Sequence, residues 1–339
     1  MNMQMIDYFA RQTAVQEVGI NGLKRLQSAK IAIVGAGGVG SSAAYFLASQ
    51  GIGHLKIIDQ DIVEESNLHR LLGVDQGDLH MPKAEALARK LNLRHPWTRT
   101  EAIVETLRSG NSGELLDHTD LILDGTDNFR SRYVLNRFAV ENKIPYLFTS
   151  AIANQAHLSL FKHPETPCLE CLIQDTGSNS AESCETLGVN PTTVGIIGTL
   201  AAAETVKKIL GLPTNIIGQL LTVDLAGPDF VFTRITKRQD CRVCNGSPPE
   251  EVHSDSVVML CGDNTANVLP EKDMEVNLQL LQTRIPKESV VTSSESVFAY
   301  NKPPYRISVF KTGRLLIGNV TTEEGALQVA RQVWNEIPS

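Results

Sequence analysis

Short apolar runs alternate with helix-like segments along the N-terminal part of the chain. Residues 29–34 form an apolar run that predicts a buried strand, and the run leads through glycines into a small-residue helix. The later predicted strands here are 54–58, 121–123 and 146–149, and the predicted helices are 41–50, 83–93 and 130–142. This alternation predicts an α/β fold with a doubly wound, Rossmann-like parallel sheet.

The pattern changes further along the chain. Residues 155–161 and 216–224 predict two more strands, expected to be antiparallel, and residues 193–210 predict an amphipathic helix. Thr192 or Thr193 is expected to cap the start of that helix.

A polar, proline-containing stretch at 247–255 predicts a linker between two domains. We expect residues 1–246 to form the large domain and residues 256–339 to form a small α+β domain. The elements predicted for the small domain are a hairpin of 305–310 with 314–317 and a closing helix, 322–337, capped by Thr321 or Thr322.

The composition restricts the range of partners and compartments. The chain has 339 residues and a net charge of −7, and it carries no basic stripe, so we expect no nucleic-acid partner. Its most apolar run, 194–203, is interrupted by glycine, and the N-terminus lacks the apolar core of a signal peptide. We therefore expect no membrane association and a cytoplasmic location.

Four of the six cysteines form two Cys-x-x-Cys pairs, Cys168 with Cys171 and Cys241 with Cys244. Two such pairs predict one tetrahedral zinc site that staples the C-terminal half of the large domain. The alternatives are two disulfides or a pair of redox dithiols. Of the two remaining cysteines, Cys184 lies between the pairs and Cys261 lies beyond them; we expect Cys261 to be an apolar filler.

The glycine-rich segment 35–40 follows a strand and opens a helix, as nucleotide-binding loops do. Asp59 follows about 20 residues later, at the end of the next strand, where a carboxylate can bind a ribose. These two features alone favour NAD, and a tight turn without a ligand is the other interpretation.

Three further residues indicate a triphosphate rather than a dinucleotide. Arg70 and Lys83 could neutralise charge on phosphates, although each taken alone is more typical of a solvated surface. Asp127 follows a strand and could bind Mg²⁺ through oxygen, or could simply cap the next helix.

Taken in order, these motifs resemble the ThiF/MoeB/HesA family, the prokaryotic relatives of ubiquitin-activating enzymes. The resemblance covers about residues 5 to 246. It is carried by Arg11-Gln12, the glycines at 35–40, Asp59-x-Asp61, Asn67-x-x-Arg70, Lys83, Gly125-Thr126-Asp127-Asn128, both Cys-x-x-Cys pairs, and Cys184 ahead of Gly188-Val189.

The resemblance implies an adenylyltransferase that uses ATP and Mg²⁺ to activate the Gly-Gly tail of a β-grasp, ubiquitin-like or sulfur-carrier protein. It implies a nucleotide-binding part at about 1–150 and a carrier-binding and zinc part at about 151–246. It also implies a homodimer in which Arg11 acts across subunits. The residues it assigns to the nucleotide and its metal are Gly35, Gly37, Gly38, Gly40, Asp59 (ribose), Asp61, Asn67, Arg70 and Lys83 (phosphates), Asp127 (magnesium) and Asn128.

Cys184 follows a small polar stretch and is a candidate for thioester formation or sulfur transfer; otherwise it is a spare thiol. Two features depart from the family pattern. Leu71 follows Arg70 where the family usually has glutamine, and the C-terminal domain is too short for the rhodanese domain of many long relatives. We expect no sulfurtransferase activity from that domain, which could recognise the carrier or a sulfur donor, or support the dimer.

Two other functions stay open at this point. The glycine loop is compatible with an NAD-dependent oxidoreductase, and the cysteine pairs are compatible with a non-catalytic zinc scaffold that binds a β-grasp protein.

Overall fold

The computed structural model describes residues 3–174, 188–248, 257–260, 264–270 and 274–337. The chain divides into two compact units. The first comprises Met1–Gly77 with Lys83–Glu250, and the second comprises Asp78–Pro82 with Glu251–Ser339. Cys184 and Cys261 lie outside the described residues.

In the described part of the chain, the first unit contains an eight-stranded sheet. Its strands are β1 (Lys30–Val34), β2 (His54–Ile58), β3 (Arg99–Ile103), β4 (Leu121–Asp124), β5 (Tyr146–Ile152), β6 (Gln155–Phe161), β7 (Gln219–Asp224) and β8 (Asp229–Arg234). The order is β3-β2-β1-β4-β5-β6-β7-β8; the pairs from β3 to β5 are parallel and those from β5 to β8 antiparallel. The predicted doubly wound, Rossmann-like sheet is confirmed.

The described helices of this unit connect and cover the strands. They are α1 (Met3–Tyr8), α2 (Ala10–Thr13), α3 (Gly19–Ser28), α4 (Gly38–Ser49), α5 (Lys83–Arg94), α6 (Ser109–Leu115), α7 (Phe129–Asn142), α8 (Leu169–Leu172) and α9 (Pro191–Leu210). The chain reverses its winding between β1 and β4, so the carboxyl ends of these two strands form the crevice where such sheets bind ligands.

Alternate residues of β1 point into different hydrophobic cores. Ile31 and Ile33 belong to a core shared with α4 and α9, whereas Ala32 and Val34 belong to a core shared with α7. Because both faces of the strand are covered, it is apolar almost throughout.

Glycines allow α9 to lie close against α4. A Cβ added to Gly38 would lie 2.7 Å from Cγ2 of Val194, and one added to Gly198 would lie 2.6 Å from Cβ of Ser42. The helix that follows the glycine loop is therefore packed closely against α9 at these two positions.

The predicted threonine cap of α9 was wrong. The helix begins at Pro191, and the side chain of Asn190 accepts a hydrogen bond from the Thr192 amide at 3.1 Å. Asparagine is the better N-cap residue here, because its side-chain oxygen accepts a hydrogen bond from an unpaired backbone N–H group of the first turn. The proline that follows suits the first helical position, because its φ angle is already helical.

Strands β3 and β8 were not predicted from the sequence. Strand β3 has only one buried position, and every residue of β8 is exposed, including its apolar run at 230–232. Both lie at the edges of the sheet, where burial does not dictate composition.

The second unit contains a six-stranded antiparallel sheet among its described residues, in the order β11-β12-β13-β14-β10-β9. The strands are β9 (Val257–Leu260), β10 (Thr265–Val268), β11 (Val290–Ser293), β12 (Val297–Lys302), β13 (Tyr305–Phe310) and β14 (Leu315–Gly318). The helices α10 (Leu278–Arg284) and α11 (Glu323–Glu336) share one hydrophobic core with this sheet.

The structure bears out the hairpin and the closing helix predicted for this unit. Strands β13 and β14 pair antiparallel, and the side chain of Thr322 accepts a hydrogen bond from the Gly325 amide at the start of α11. The first four strands of the unit, β9 to β12, and helix α10 were not predicted. Among the described residues, no helix has both the length and the hydropathy needed to cross a bilayer.

Candidate active site and metal centre

The glycine loop between β1 and α4 packs against the turn that follows β4. Gly35 has a φ of +92°, and a Cβ there would lie 2.6 Å from the carbonyl oxygen of Gly125. The Gly125 amide in turn donates to the Val34 carbonyl at 2.7 Å. A Cβ on Gly37, by contrast, would meet nothing within 4 Å. The two turns therefore meet backbone to backbone, and the open side at Gly37 leaves room for a phosphate at the N-terminus of α4.

Asp59 follows β2 and is held by two backbone amides. Its Oδ2 accepts from the Ala36 amide at 2.6 Å, and its Oδ1 accepts from the Asp61 amide at 2.7 Å. Burial raises the pKa of Asp59 to about 6, although nearby Lys83 acts in the opposite direction. The carboxyl group is thus fixed beside the glycine loop, where sheets of this kind bind a ribose.

Lys83, the first residue of α5, lies among three carboxylates. Its Nζ is 3.1 Å from Oδ2 of Asp61, and its amide donates to the Asp61 carbonyl at 2.8 Å. Burial lowers the pKa of Lys83, but the negative charges of Asp61, Asp59 and Asp127 outweigh burial, so the net shift is upward. The ammonium group is therefore charged and interacts with carboxylates from two separate loops, those that follow β2 and β4.

Two buried oxygens of this region have no hydrogen-bond partner among the described residues. They are Oδ1 of Asp61 and Oδ1 of Asn67. Buried polar atoms in folded proteins are nearly always paired, so both are positions that a bound ligand or its water would satisfy.

Arg70 makes local contacts instead of joining the Lys83 group. One of its terminal nitrogens donates to the Ser66 carbonyl at 2.8 Å and lies 3.1 Å from Nε2 of His69. Arg11, in α2, is exposed, while its neighbour Gln12 donates to the Gln50 carbonyl at 2.8 Å.

The turn after β4 presents Asp127 and Asn128 on the surface. The side chain of Asn128 caps α7 by accepting from the Ser131 amide at 2.9 Å. The capping role that sequence reasoning considered for Asp127 therefore belongs to Asn128. The Asn128 amide nitrogen also donates to Oδ1 of Asp127 at 3.4 Å, and the charge of Asp127 helps to raise the pKa of Lys83.

Sequence reasoning missed a buried polar network beneath this turn. Asp124 is fully buried and accepts from the hydroxyl group of Tyr146 at 2.5 Å. The guanidinium group of Arg132 lies 3.8 Å from the same carboxylate oxygen. Burial raises the pKa of Asp124, and the charge of Arg132 only partly offsets this effect.

The sequence carries one signal for this network. Arg132 lies three and seven residues before Leu135 and Ala139, which are both buried. An arginine on the buried face of a helix indicates an internal charge partner, because a lone buried charge is too costly.

The four cysteines of the two pairs meet as predicted. Cys168 and Cys241 have their sulfurs 3.6 Å apart, as do Cys171 and Cys244, and all four sulfurs lie within 4.8 Å of one another. A zinc ion with Zn–S bonds of about 2.3 Å implies sulfurs about 3.8 Å apart. The thiols are free, so the disulfide alternative was wrong, and the group fits zinc.

Side chains of helix α7 contact the residues between Cys168 and Cys171. Arg137 forms an ion pair with Glu170 at 3.0 Å, and Asn136 donates to the same carboxylate oxygen at 3.2 Å. Asn136 also accepts from the Leu169 amide at 2.9 Å. The side chains that orient the first Cys-x-x-Cys pair thus come from the helix that Asn128 caps.

The first unit is similar in sequence to proteins of a known family. A family model described as the ThiF family matches residues 9–243. A relative from Thermus thermophilus named "Sulfur carrier protein adenylyltransferase" is 32% identical over 251 residues, 72% of this chain and 93% of that protein. A Yarrowia lipolytica relative named "Adenylyltransferase and sulfurtransferase UBA4" is 35% identical over 244 residues, 71% of this chain and 61% of that protein.

Solved structures show the same fold. A crystal structure of E. coli MccB with succinimide has a TM-score of 0.62 at 20% identity, covering 70% of this chain and 74% of that chain. A structure of E. coli MccB with ATP has a TM-score of 0.61 at 22% identity, with the same coverage.

Proposed function

The chain belongs to the ThiF family, and from this premise we propose that it is an adenylyltransferase acting on a small carrier protein. The substrate is ATP, and the acceptor is the C-terminal Gly-Gly carboxylate of a ubiquitin-like or sulfur-carrier protein of β-grasp fold. The observation that carries the proposal is the charged Lys83 ammonium held among Asp59, Asp61 and Asp127 beside an open glycine loop.

The phosphates and the ribose of ATP each have a matching group. The amides of the glycine loop and the start of α4 suit the phosphates, and Asp59 suits the ribose. Lys83 exchanges its ion pair with Asp61 for the phosphates, and Arg70 turns away from Ser66 to assist.

Three carboxylates around one ammonium leave the site with excess negative charge, and a triphosphate would add more. A divalent cation corrects this imbalance, and carboxylate oxygens are the ligands that Mg²⁺ prefers. Asp127 and Asp61 supply such oxygens, so the residues fit the ion. When bound, Mg²⁺ would neutralise phosphate charge.

The chemistry requires charge neutralisation rather than a general base. The carrier carboxylate is ionised at neutral pH, so one of its oxygens attacks the α-phosphorus directly. That bond forms as the bond to the bridging oxygen of pyrophosphate breaks, which yields an acyl-adenylate. Lys83, assisted by Arg70, stabilises the charge that builds on the phosphate oxygens.

We further propose that the carrier docks at β8, the edge strand of the sheet. Phe230, Val231 and Phe232 are 53%, 54% and 46% exposed, which leaves unpaired backbone and apolar side chains available to a partner. An exposed apolar group near the N-terminus, made of Met3, Tyr8, Val15 and Ile20, is proposed as part of a homodimer interface.

Cys184 is proposed to act after adenylation, through a thioester or sulfur transfer. The sulfurtransferase activity in the name of the Yarrowia relative is no part of this proposal, because the chain spans about three-fifths of that protein. Reduced thiolate ligands for zinc suit the cytoplasm, where we propose that the reaction takes place.

Family membership favours ATP over NAD, and the charged Lys83 cluster distinguishes the site from that of a non-catalytic scaffold. In an NAD-dependent oxidoreductase, Lys83 and Asp127 would have no task.

The deciding experiment is carrier-dependent exchange of labelled pyrophosphate into ATP. Exchange should appear with a Gly-Gly carrier from the same genome and vanish when the last glycine is deleted. Lys83→Ala and Asp127→Ala should abolish exchange, whereas Lys90→Ala, on the same helix but paired at the surface with Asp75, should not. Cys184→Ala should retain exchange; no exchange with any such carrier would refute the proposal.

A further inference from the structure

Asp127 is exposed, yet the backbone on both sides of it is fixed. The amide and the hydroxyl of Thr126 donate to Oδ1 of Asp124 at 2.9 and 2.7 Å, and the Thr126 carbonyl accepts from Arg132 at 2.8 Å. On the other side, Asn128 caps α7. The Asp127 carboxylate, whose Oδ1 accepts a hydrogen bond from the Asn128 side chain at 3.4 Å, thus lies between two anchored residues.

Arg132 is the centre of this anchoring. Its side chain is 2% exposed, and its guanidinium carbon lies 5.0 Å and 5.3 Å from the ring centroids of Phe129 and Phe148. Besides the Thr126 carbonyl, it donates to the Thr149 carbonyl at 3.3 Å. Its Nε makes no hydrogen bond among the described residues and lies 3.8 Å from Asp124.

Stability alone does not account for this arrangement. Removing two charges from water is expensive, and apolar residues of similar volume often replace a buried ion pair without loss of stability. What an apolar pair cannot do is hold the amide, hydroxyl and carbonyl of Thr126 in one orientation. The network therefore fixes the orientation of the backbone at Thr126. That orientation sets the direction of the next side chain, which is Asp127.

We infer that Arg132, with Asp124 and Tyr146, is a positioning residue that aims the Asp127 carboxylate at the divalent cation of the nucleotide. This inference rests on the proposed function, because it takes Asp127 as a cation ligand. Arg132 itself touches neither ATP nor the cation. Its loss should therefore weaken the cation's contribution to binding while the glycine loop and Asp59 still hold the nucleotide.

The test compares Arg132→Met with Arg130→Met, an exposed position on the same helix. ATP binding is measured by calorimetry while Mg²⁺ is titrated, and pyrophosphate exchange is measured over the same Mg²⁺ range. Groups that orient a metal ligand typically change metal affinity about 10- to 100-fold. We expect Arg132→Met to raise the half-saturating Mg²⁺ concentration by about that factor, with Mg²⁺-free ATP binding unchanged and Arg130→Met unaffected.

Three further variants guard against misfolding. Arg132→Met leaves Asp124 buried without its charge partner, so Arg132→Met combined with Asp124→Asn removes both charges and should fold. Tyr146→Phe removes only the hydrogen bond to Asp124, and it should shift the Mg²⁺ midpoint in the same direction by a smaller factor. Arg132→Lys should recover part of the shift, since it restores charge but not the forked geometry.

The outcomes separate this inference from the proposed function. Folded variants with the Mg²⁺ midpoint of the wild type would overturn the inference, as would ATP binding by the wild type that ignores Mg²⁺. A wild type that shows Mg²⁺-dependent ATP binding but no exchange with any carrier would refute the proposed function alone. In that case the shift in the midpoint would still support the role of Arg132.

Discussion

Buried ionisable side chains in this protein differ in which neighbouring charges or hydrogen bonds offset the free-energy cost of burial. Lys83 is balanced by three carboxylates and keeps its charge, while burial moves the pKa of Asp59 to about 6. His95 has no balancing group. It is 5% exposed, neither ring nitrogen has a partner among the described residues, and its ring meets that of Tyr45 edge to face at 5.5 Å.

His95 should make the protein less stable in mild acid. Burial first, and then the charge of Arg94, lower its pKa, so the unfolded chain binds the proton more readily than the folded chain. The stability due to neutral His95 is complete above the unfolded pKa of about 6.5 and is lost as the pH falls below it, by at most about 1.4 kcal/mol per pH unit. Urea unfolding between pH 7.5 and 5.5 measures this slope.

The variant His95→Phe should show a smaller loss than the wild type over that range. His118→Asn is the control, because the His118 side chain is 80% exposed and asparagine tolerates its positive φ. An unchanged slope in His95→Phe would mean that other histidines carry the whole effect.

At the residue scale, the sequence predicted the groups that lie at strand ends and missed those that depend on distant contacts. Asp59 and Asp127 each follow an apolar strand, so their position could be read locally. The partnership of Asp124 with Tyr146 joins residues from different strands, and no local pattern specifies it. The roles proposed for the site residues remain predictions.

At the scale of elements, α9 contains two glycines with opposite packing. A Cβ on Gly198 would meet Cβ of Ser42 at 2.6 Å and the Val39 carbonyl at 2.7 Å, whereas a Cβ on Gly195 would meet nothing within 4 Å. Both lie in the interior of the helix, where glycine is less favourable than alanine by up to about 1 kcal/mol.

The two glycines should respond to alanine in opposite directions. Gly195→Ala should raise the free energy of unfolding by about 0.5–1 kcal/mol, because it only restricts the unfolded chain. Gly198→Ala should lower it by about 1–3 kcal/mol, because α4 and α9 must separate. Denaturant titration of both variants checks the signs; a stabilising Gly198→Ala would show that the close contact of α4 and α9 is dispensable.

Element prediction succeeded where burial imposes a pattern. The apolar run of β1 and the cap at Thr322 gave correct elements, because buried parallel strands and helix starts have specific chemistry. Strand β8 contains the apolar residues Phe230, Val231 and Phe232, but all three are exposed, so the strand is defined by its pairing with β7 and not by burial.

At the scale of the whole molecule, the sequence predicted two domains joined by a linker at 247–255. It did not predict every segment that belongs to each compact unit. The second unit takes in Asp78–Pro82, a five-residue segment from within the first part of the sequence. Nothing in its local pattern marks it, since membership of a unit is a property of contacts between distant residues. The linker predicted at 247–255 falls mostly outside the described residues.

The proposed homodimer makes one more prediction, which concerns Arg11. Arg11 is exposed in α2, and its neighbour Gln12 is anchored to Gln50, so the arginine is presented outward from a fixed helix. If it completes the partner's site, Arg11→Ala and Lys83→Ala should each be inactive alone but should complement each other. In a symmetric dimer a mixed pair keeps one site with both residues intact, so random mixing should restore about a quarter of the wild-type exchange rate.

Co-expression with two different affinity tags isolates the mixed dimer and removes the uncertainty of mixing. The purified mixed dimer should then show about half of the wild-type rate per dimer, since one of its two sites lacks both residues. Failure to complement in a verified mixed dimer would place Arg11 in the site of its own subunit, or outside catalysis. The dimer would then be a structural assembly, and Lys83 with Arg70 would have to neutralise the phosphate charge without help from the partner.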